Sequence, residues 1–156
     1  MTSENTLYLD LKDGRVTIEM TPDKAPAHVA RIKDLVREGY YNGLKFHRVI
    51  PGFMAQTGCP HGTGTGGSGQ NLAAEFNDTP HCKGTLSMAR AQSPDSADSQ
   101  FFICFDDAPH LDGQYTAWGQ VTDGMEHVDA IKKGTGGNGS VDEPDSIVAM
   151  VMATDA

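Results

Sequence analysis

Apolar and polar residues alternate through "TLYLDL", which places Leu7, Leu9 and Leu11 on one face, and again through "VTIEM", with Val16, Ile18 and Met20. Between the two runs "KDGR" carries Asp13-Gly14, a strong turn signal, so the spacing predicts a β-hairpin. The period then changes. Val29, Ile32, Leu35 and Val36 recur at helical spacing, Pro26 suits a first turn and Gly39 a stop. This predicts a helix from about Pro26 to Glu38. "LKFHRVI" and "FMAQTG" read as strands separated by Pro51-Gly52, and "GTLSMARA", "QFFICF", "TAWGQV" and "SIVAMVMA" as further strands. "GMEHVDAIKKG" offers Met125, Val128 and Ile131 at helical spacing, with Gly134 behind them.

Short strands joined by hairpin-like turns, without regular βαβ alternation, point to a mainly β chain. The expected architecture is an antiparallel sheet closed as a barrel, with two helices packed outside it or over its ends. A chain of 156 residues suits one domain over 1–156, and no internal repeat is evident.

Charge narrows the range of partners. The net charge is -9. Residues 1–78 carry 8 basic and 9 acidic side chains, whereas residues 79–156 carry 4 and 12. No basic cluster offers a phosphate-binding surface, so nucleic acid is not an expected partner. No run is long and apolar enough for a membrane span, and "MTSENTLYLD" lacks the pattern of a secretory signal. Three cysteines, Cys59, Cys82 and Cys104, argue against a disulfide framework and for a reducing compartment. A cytoplasmic monomer is the expectation.

Several motifs invite chemistry. "GTGGSG" places Gly64, Gly66 and Gly69 in the pattern G-x-G-x-x-G of a dinucleotide turn. The context fails, because Pro60 precedes it, little helix can follow it, and no acid lies between Thr79 and Pro94. The glycines then mark either a surface loop or a close backbone approach, and the residues alone favour the loop. No G-x-S-x-G elbow is present. Cys59, His61, His81 and Cys82 are ligand types at spacings of no standard zinc motif. They read as a buried cysteine and surface histidines, and no metal is expected. The segment "FHRVIPGFMAQTG" stands out. Strand alternation sets Arg48 on a face with Leu44, Phe46 and Ile50, where an arginine needs a partner or a task.

Four segments, "FHRVIPGFMAQTG", "GTLSMARA", "SQFFIC" and "LDGQYTAWGQV", resemble in content, order and spacing the cyclophilins, which are peptidyl-prolyl cis-trans isomerases. The resemblance runs from about Leu7 to Met152. It implies an eight-stranded antiparallel closed β-barrel capped by two α-helices, in a bacterial single-domain member. It implies that Arg48 is the catalytic arginine and that Gln56 orients it. Phe53, Met54 and Phe102 would line a proline pocket with Leu111 at its edge, and Phe46 is counted with the substrate-contacting set. Ala89, Arg90 and Gln100 would line the groove for residues before the proline, with Arg90 in place of the asparagine common in eukaryotic members. His110 stands where many members carry a tryptophan that contacts cyclosporin, and Tyr115 where many carry a histidine. The implied partners are proline-containing peptides and unfolded chains, with cyclosporin bound at weakened affinity. The glycine loop now reads as a groove border, with Gly64, Thr65 and Gly66 near bound peptide.

The chemistry suits these residue types. Twisting an X-Pro amide breaks its resonance, and no bond to carbon is made or cut. No cofactor, metal or nucleophile is therefore required. A catalyst needs only to bind the twisted amide better than the planar one. A proline-peptide-binding chaperone module, with isomerisation incidental to binding, is the competing reading.

Overall fold

A computed structural model describes residues 3–62, 66–134 and 139–156. The hairpin forms from β1 (Thr6–Leu11) and β2 (Gly14–Met20). Leu11 pairs with Gly14, so the turn is Lys12-Asp13, one residue earlier than Asp13-Gly14 suggested. The reason lies on the next layer. Gly14 has φ 152, and a Cβ there would come within 2.5 Å of the His127 ring. Gly14 is thus the strand residue that lets the sheet approach a helix.

Helix α1 (Pro26–Arg37) matches its predicted span and buries His28, Val29, Ile32, Leu35 and Val36. It lies against β8 (Ala149–Met152). Between them in the chain come β3 (Arg48–Ile50), β4 (Met54–Thr57), β5 (Thr85–Met88), β6 (Phe101–Cys104) and β7 (Ala117–Asp123). All eight strands join one antiparallel sheet in the order β3-β4-β6-β5-β7-β2-β1-β8. The inner face is one core, with Trp118, Phe101, Tyr41, Phe46, Leu7, Leu9 and Ile18 essentially inaccessible to water.

The expected closed barrel is realised with a difference. No strand ladder joins β3 to β8. The segments leading into them meet instead, through Gly43 N to Ile147 O at 2.8 Å, Ile147 N to Leu44 O at 2.7 Å and Phe46 N to Asp145 O at 2.9 Å. The free side of β3 is covered by backbone as well, since Val49 N donates to Gly139 O and Gly134 N to Val49 O. This covering shortens the second helix. Residues to Gly134 were expected to extend it, but α2 ends as Met125–Asp129 because the chain leaves the helix to pair with β3.

The alternation expected through "LKFHRVI" also breaks. Phe46 and Val49, three apart, both enter the main core, and β3 begins only at Arg48. The irregular stretch at His47, whose carbonyl accepts from Val141 N, turns Arg48 and Ile50 to the outer face. Phe46 therefore packs in the barrel core and is not a groove residue.

Candidate active groove

Outside the barrel, Met54 of β4 and Phe102 and Cys104 of β6 form a second apolar cluster with Ala108 and Leu111 from the segment after β6. Ile50, Phe53, Ala89 and Tyr115 pack around it, half-buried. A strand has two faces, and here both are apolar, because a short 3-10 helix (Pro109–Leu111) folds over the outer one. Where that cover stops, the cluster opens as a cavity of about 300 Å³ lined by Arg48, Phe53, Met54, Gln56, Phe102 and Leu111, with Ala89, Arg90, His110 and Tyr115.

The rings are set at fixed angles. Tyr115 meets Phe102 edge-on, with centroids 5.8 Å apart. His110 lies 5.6 Å from Phe53 at the rim. Arg48 and Gln56 are register partners on β3 and β4, and Gln56 is opposite Phe102 on β6. The Arg48 guanidinium donates from Nη1 to Gln56 Oε1 at 3.2 Å. Gln56 Nε2 donates to Gln100 Oε1 at 2.9 Å, and Gln100 Nε2 donates to Gly66 O at 3.0 Å. Each glutamine thus uses its oxygen toward one neighbour and its amide hydrogens toward the next. The relay runs from the apolar cavity to the glycine loop.

That loop borders a second cavity of about 270 Å³, lined by Gln56, Gly66, Gly67, Asn71, Ala89, Arg90, Ala91, Ser96, Asp98 and Gln100. Gln56, Ala89 and Arg90 belong to both cavities, which form one continuous groove. A Cβ at Gly67 would lie 2.6 Å from the Asp98 carboxylate, which accepts from Ser68 N, Ser68 Oγ and Gly69 N. Gly67 thus answers a close approach to Asp98, and Gly66 one to the His61 ring. Of the border residues expected there, Gly66 lines the groove, while Gly64 and Thr65 lie outside the described residues.

Arg90 is less free than a groove cation would be. Its Nε and Nη2 donate to Gln114 O at 3.1 and 2.9 Å, and Nη1 donates to Ala91 O and Gln92 O. The guanidinium stacks over Tyr115, 4.6 Å from the ring centroid. It ties two loops together at the groove edge.

The candidate ligand set disperses. His61 is exposed, and Cys59 is buried, with Sγ accepting from Gly66 N. His81, read from the sequence as a surface histidine, is 2% exposed and bonded on both ring nitrogens. Its neighbours "PHC" give no sign of burial, because they contain no apolar period. Cys104 packs in the outer cluster, and burial pushes its thiol pKa up to about 12. Among the described residues no group of three His, Cys, Asp or Glu side chains could hold a metal ion. Asn71, Ser96 and Asp98 were not singled out in the sequence. Asn71 reaches the groove from the long loop between β4 and β5, Ser96 and Asp98 from the loop between β5 and β6, and no periodicity encodes either path.

Known proteins place the chain. The model of the family described as cyclophilin type peptidyl-prolyl cis-trans isomerase matches residues 6–152. A probable peptidyl-prolyl cis-trans isomerase of Brucella suis is 55% identical over 165 aligned positions, covering 97% of this chain and 84% of that protein. Peptidyl-prolyl cis-trans isomerase B of Bacillus subtilis is 48% identical, covering 83% of this chain and 92% of its own. The crystal structure of a Hirschia baltica cyclophilin superposes with a TM-score of 0.88 at 29% identity, over 100% of this chain and 76% of that one. A Cryptosporidium parvum cyclophilin-type isomerase, solved in the presence of the dipeptide Ala-Pro, gives 0.86 at 28% identity, over 94% of this chain and 98% of that one. No described helix is long and apolar enough to cross a membrane. An antiparallel eight-stranded sheet, an outer apolar cavity edged by Arg48 and Gln56, and a family match over nearly the whole chain converge, and the chain belongs to the cyclophilin-type peptidyl-prolyl cis-trans isomerases.

Proposed function

We propose that the groove accelerates cis-trans isomerisation of X-Pro bonds in peptides and unfolded chains. The observation that carries this reading is the Arg48–Gln56 pair at the edge of a cavity floored by Phe102 and Met54 and walled by Leu111. The apolar floor takes the pyrrolidine ring. Arg48 donates to the prolyl nitrogen, which regains its lone pair only when the amide twists. The guanidinium stays protonated throughout the physiological range, so the donor is always ready. Gln56 holds it at one angle, and the apolar surroundings strengthen the bond by excluding water. The cavity beyond Gln56 and Ala89 receives the residues before the proline.

The uncatalysed barrier is about 20 kcal/mol and the reaction takes tens of seconds or more, so such an activity assists folding wherever a proline limits it. No step needs a cofactor. The protein acts as a monomer on short segments of many chains, and cyclosporin binds with lowered affinity because His110 offers less apolar surface than an indole. Exchange spectroscopy on an X-Pro peptide tests the reading. Faster exchange between cis and trans resonances on adding protein supports it, and binding without faster exchange supports the chaperone module instead.

A further inference from the structure

Behind the groove lies a polar cluster that the isomerisation scheme does not use. His81 stacks on Phe102, with ring centroids 6.3 Å apart and planes inclined by 24°. Its Nδ1 lies 3.0 Å from Asp112 Oδ1, and its backbone N–H donates to the same oxygen at 2.7 Å. Its Nε2 lies 2.8 Å from Ser87 Oγ, and its carbonyl accepts from Ala108 N at 2.8 Å.

Serine, histidine and carboxylate in this order have the connectivity of a hydrolase nucleophile set. Ser87 has no accessible surface, however, and faces Phe102 across β5 and β6, so no substrate carbonyl reaches its hydroxyl. The cluster's geometry suits holding instead. The Asp112 carboxylate, whose pKa is lowered chiefly by the His81 backbone N–H, only accepts. Nδ1 therefore carries the imidazole proton, and Nε2 accepts from the Ser87 hydroxyl. Burial lowers the His81 pKa against the pull of Asp112, which favours this neutral form.

The two ends of the array reach opposite sides of the cavity. Ser87 belongs to the strand beside Phe102, the floor, while Asp112 directly follows His110 and Leu111, the wall. We infer that His81 is a positioning residue for the isomerase, a neutral imidazole that fixes the Phe102 floor relative to the His110–Leu111 wall. This rests on the proposed reaction. A twisted amide is recognised only if floor, wall and Arg48 keep their spacing, so loosening one of them costs more in the transition state than in the ground state. Protonation turns Nε2 into a donor, so the Ser87 hydroxyl rotates to accept and its own buried proton loses the ring acceptor, which disturbs the array. The charged and titratable groups acting on the ring are Asp112 and His110 of the wall segment. Cys104 of β6 stays a neutral thiol, held so by burial first and then by Cys82 and Asp112.

The test compares the wild type with His81→Phe, which keeps the stack on Phe102 and removes both ring hydrogen bonds. Exchange spectroscopy at saturating Ala-Pro peptide gives kcat, and titration at tracer protein gives Kd. The expected result is a fall in kcat of about tenfold with Kd within about twofold. The wild-type kcat also falls as the pH drops below the ordinary histidine range, and this acid limb is absent in His81→Phe but retained in His110→Phe. Asp112→Asn, which keeps an acceptor oxygen, holds kcat near wild type, whereas Asp112→Ala does not. If His81→Phe does not fold, Ser87→Ala carries the same kcat and Kd expectation. Unchanged kcat, or equal losses in kcat and affinity, overturns the positioning role. A wild-type protein that binds the peptide without speeding its exchange overturns the proposed reaction itself.

Discussion

Arg48 and Gln56 face each other in register on β3 and β4, and a hydrogen bond of 3.2 Å from Nη1 to Oε1 ties the guanidinium to the glutamine. Gln56 is in turn held by Gln100, and Gln100 by the Gly66 carbonyl. The donor of the proposed reaction is thus aimed from two strands away and from the glycine loop.

Gln56→Leu keeps the side-chain volume and removes the acceptor. The guanidinium then loses its fixed angle, and kcat/KM falls by about 10- to 100-fold, on the scale of one lost orienting hydrogen bond. Gln100→Leu breaks the relay one step further out and costs less, about 3- to 10-fold. A peptide isomerisation assay on both variants checks the order. A larger loss in Gln100→Leu than in Gln56→Leu contradicts it.

Helix α1 begins at Ala25-Pro26 without a side-chain cap of its own. Glu75, from the distant loop, accepts from Ala27 N at 3.1 Å, His28 N at 2.9 Å and His28 Nδ1 at 2.7 Å. Burial works to raise the Glu75 pKa, but these donors outweigh it and hold the carboxyl below its usual range. A depressed carboxyl contributes stability above its unfolded pKa of about 4.3 and loses it as the pH falls through the lower folded value. Glu75→Gln should cost about 1 kcal/mol at neutral pH and flatten that acid limb. Thermal melts of both proteins from neutral to acid pH measure it, and parallel pH dependences would sink the assignment.

In the proposed binding of cyclosporin, the groove rim sets the affinity. His110 presents a small polar ring 5.6 Å from Phe53. His110→Trp adds apolar area at that edge, and cyclosporin should bind about tenfold tighter, roughly 1.4 kcal/mol. Calorimetric titration of wild type and variant decides this, and equal affinities would contradict the proposed role of His110.

Much of this was legible in the sequence because the signals were local. The α1 apolar period with Pro26 and Gly39 located the helix, and Asp13-Gly14 located the hairpin to within one residue. Family resemblance brought Phe53, Met54, Gln56, Phe102, Leu111 and Tyr115 to one cavity with Arg48. What escaped was set by tertiary contacts. Phe46 entered the core because the chain is irregular at His47, which strict alternation does not anticipate. α2 stopped early because the backbone after Ile131 is claimed by β3. His81 reads from the sequence as a surface residue because its partners, Ser87 and Asp112, come from separate segments and carry no shared pattern.

The central claim is that Arg48 donates to the twisted amide. Its most direct test is kcat/KM for isomerisation of an X-Pro peptide by Arg48→Ala, with circular dichroism reporting the fold. Loss of one such donor costs about 10²- to 10³-fold, roughly 2.7 to 4 kcal/mol. A loss of that size is expected, with an unchanged spectrum and no rescue by Arg48→Lys, whose ammonium cannot reproduce the planar fork held by Gln56. Activity within a few-fold of wild type in the folded Arg48→Ala protein would contradict it.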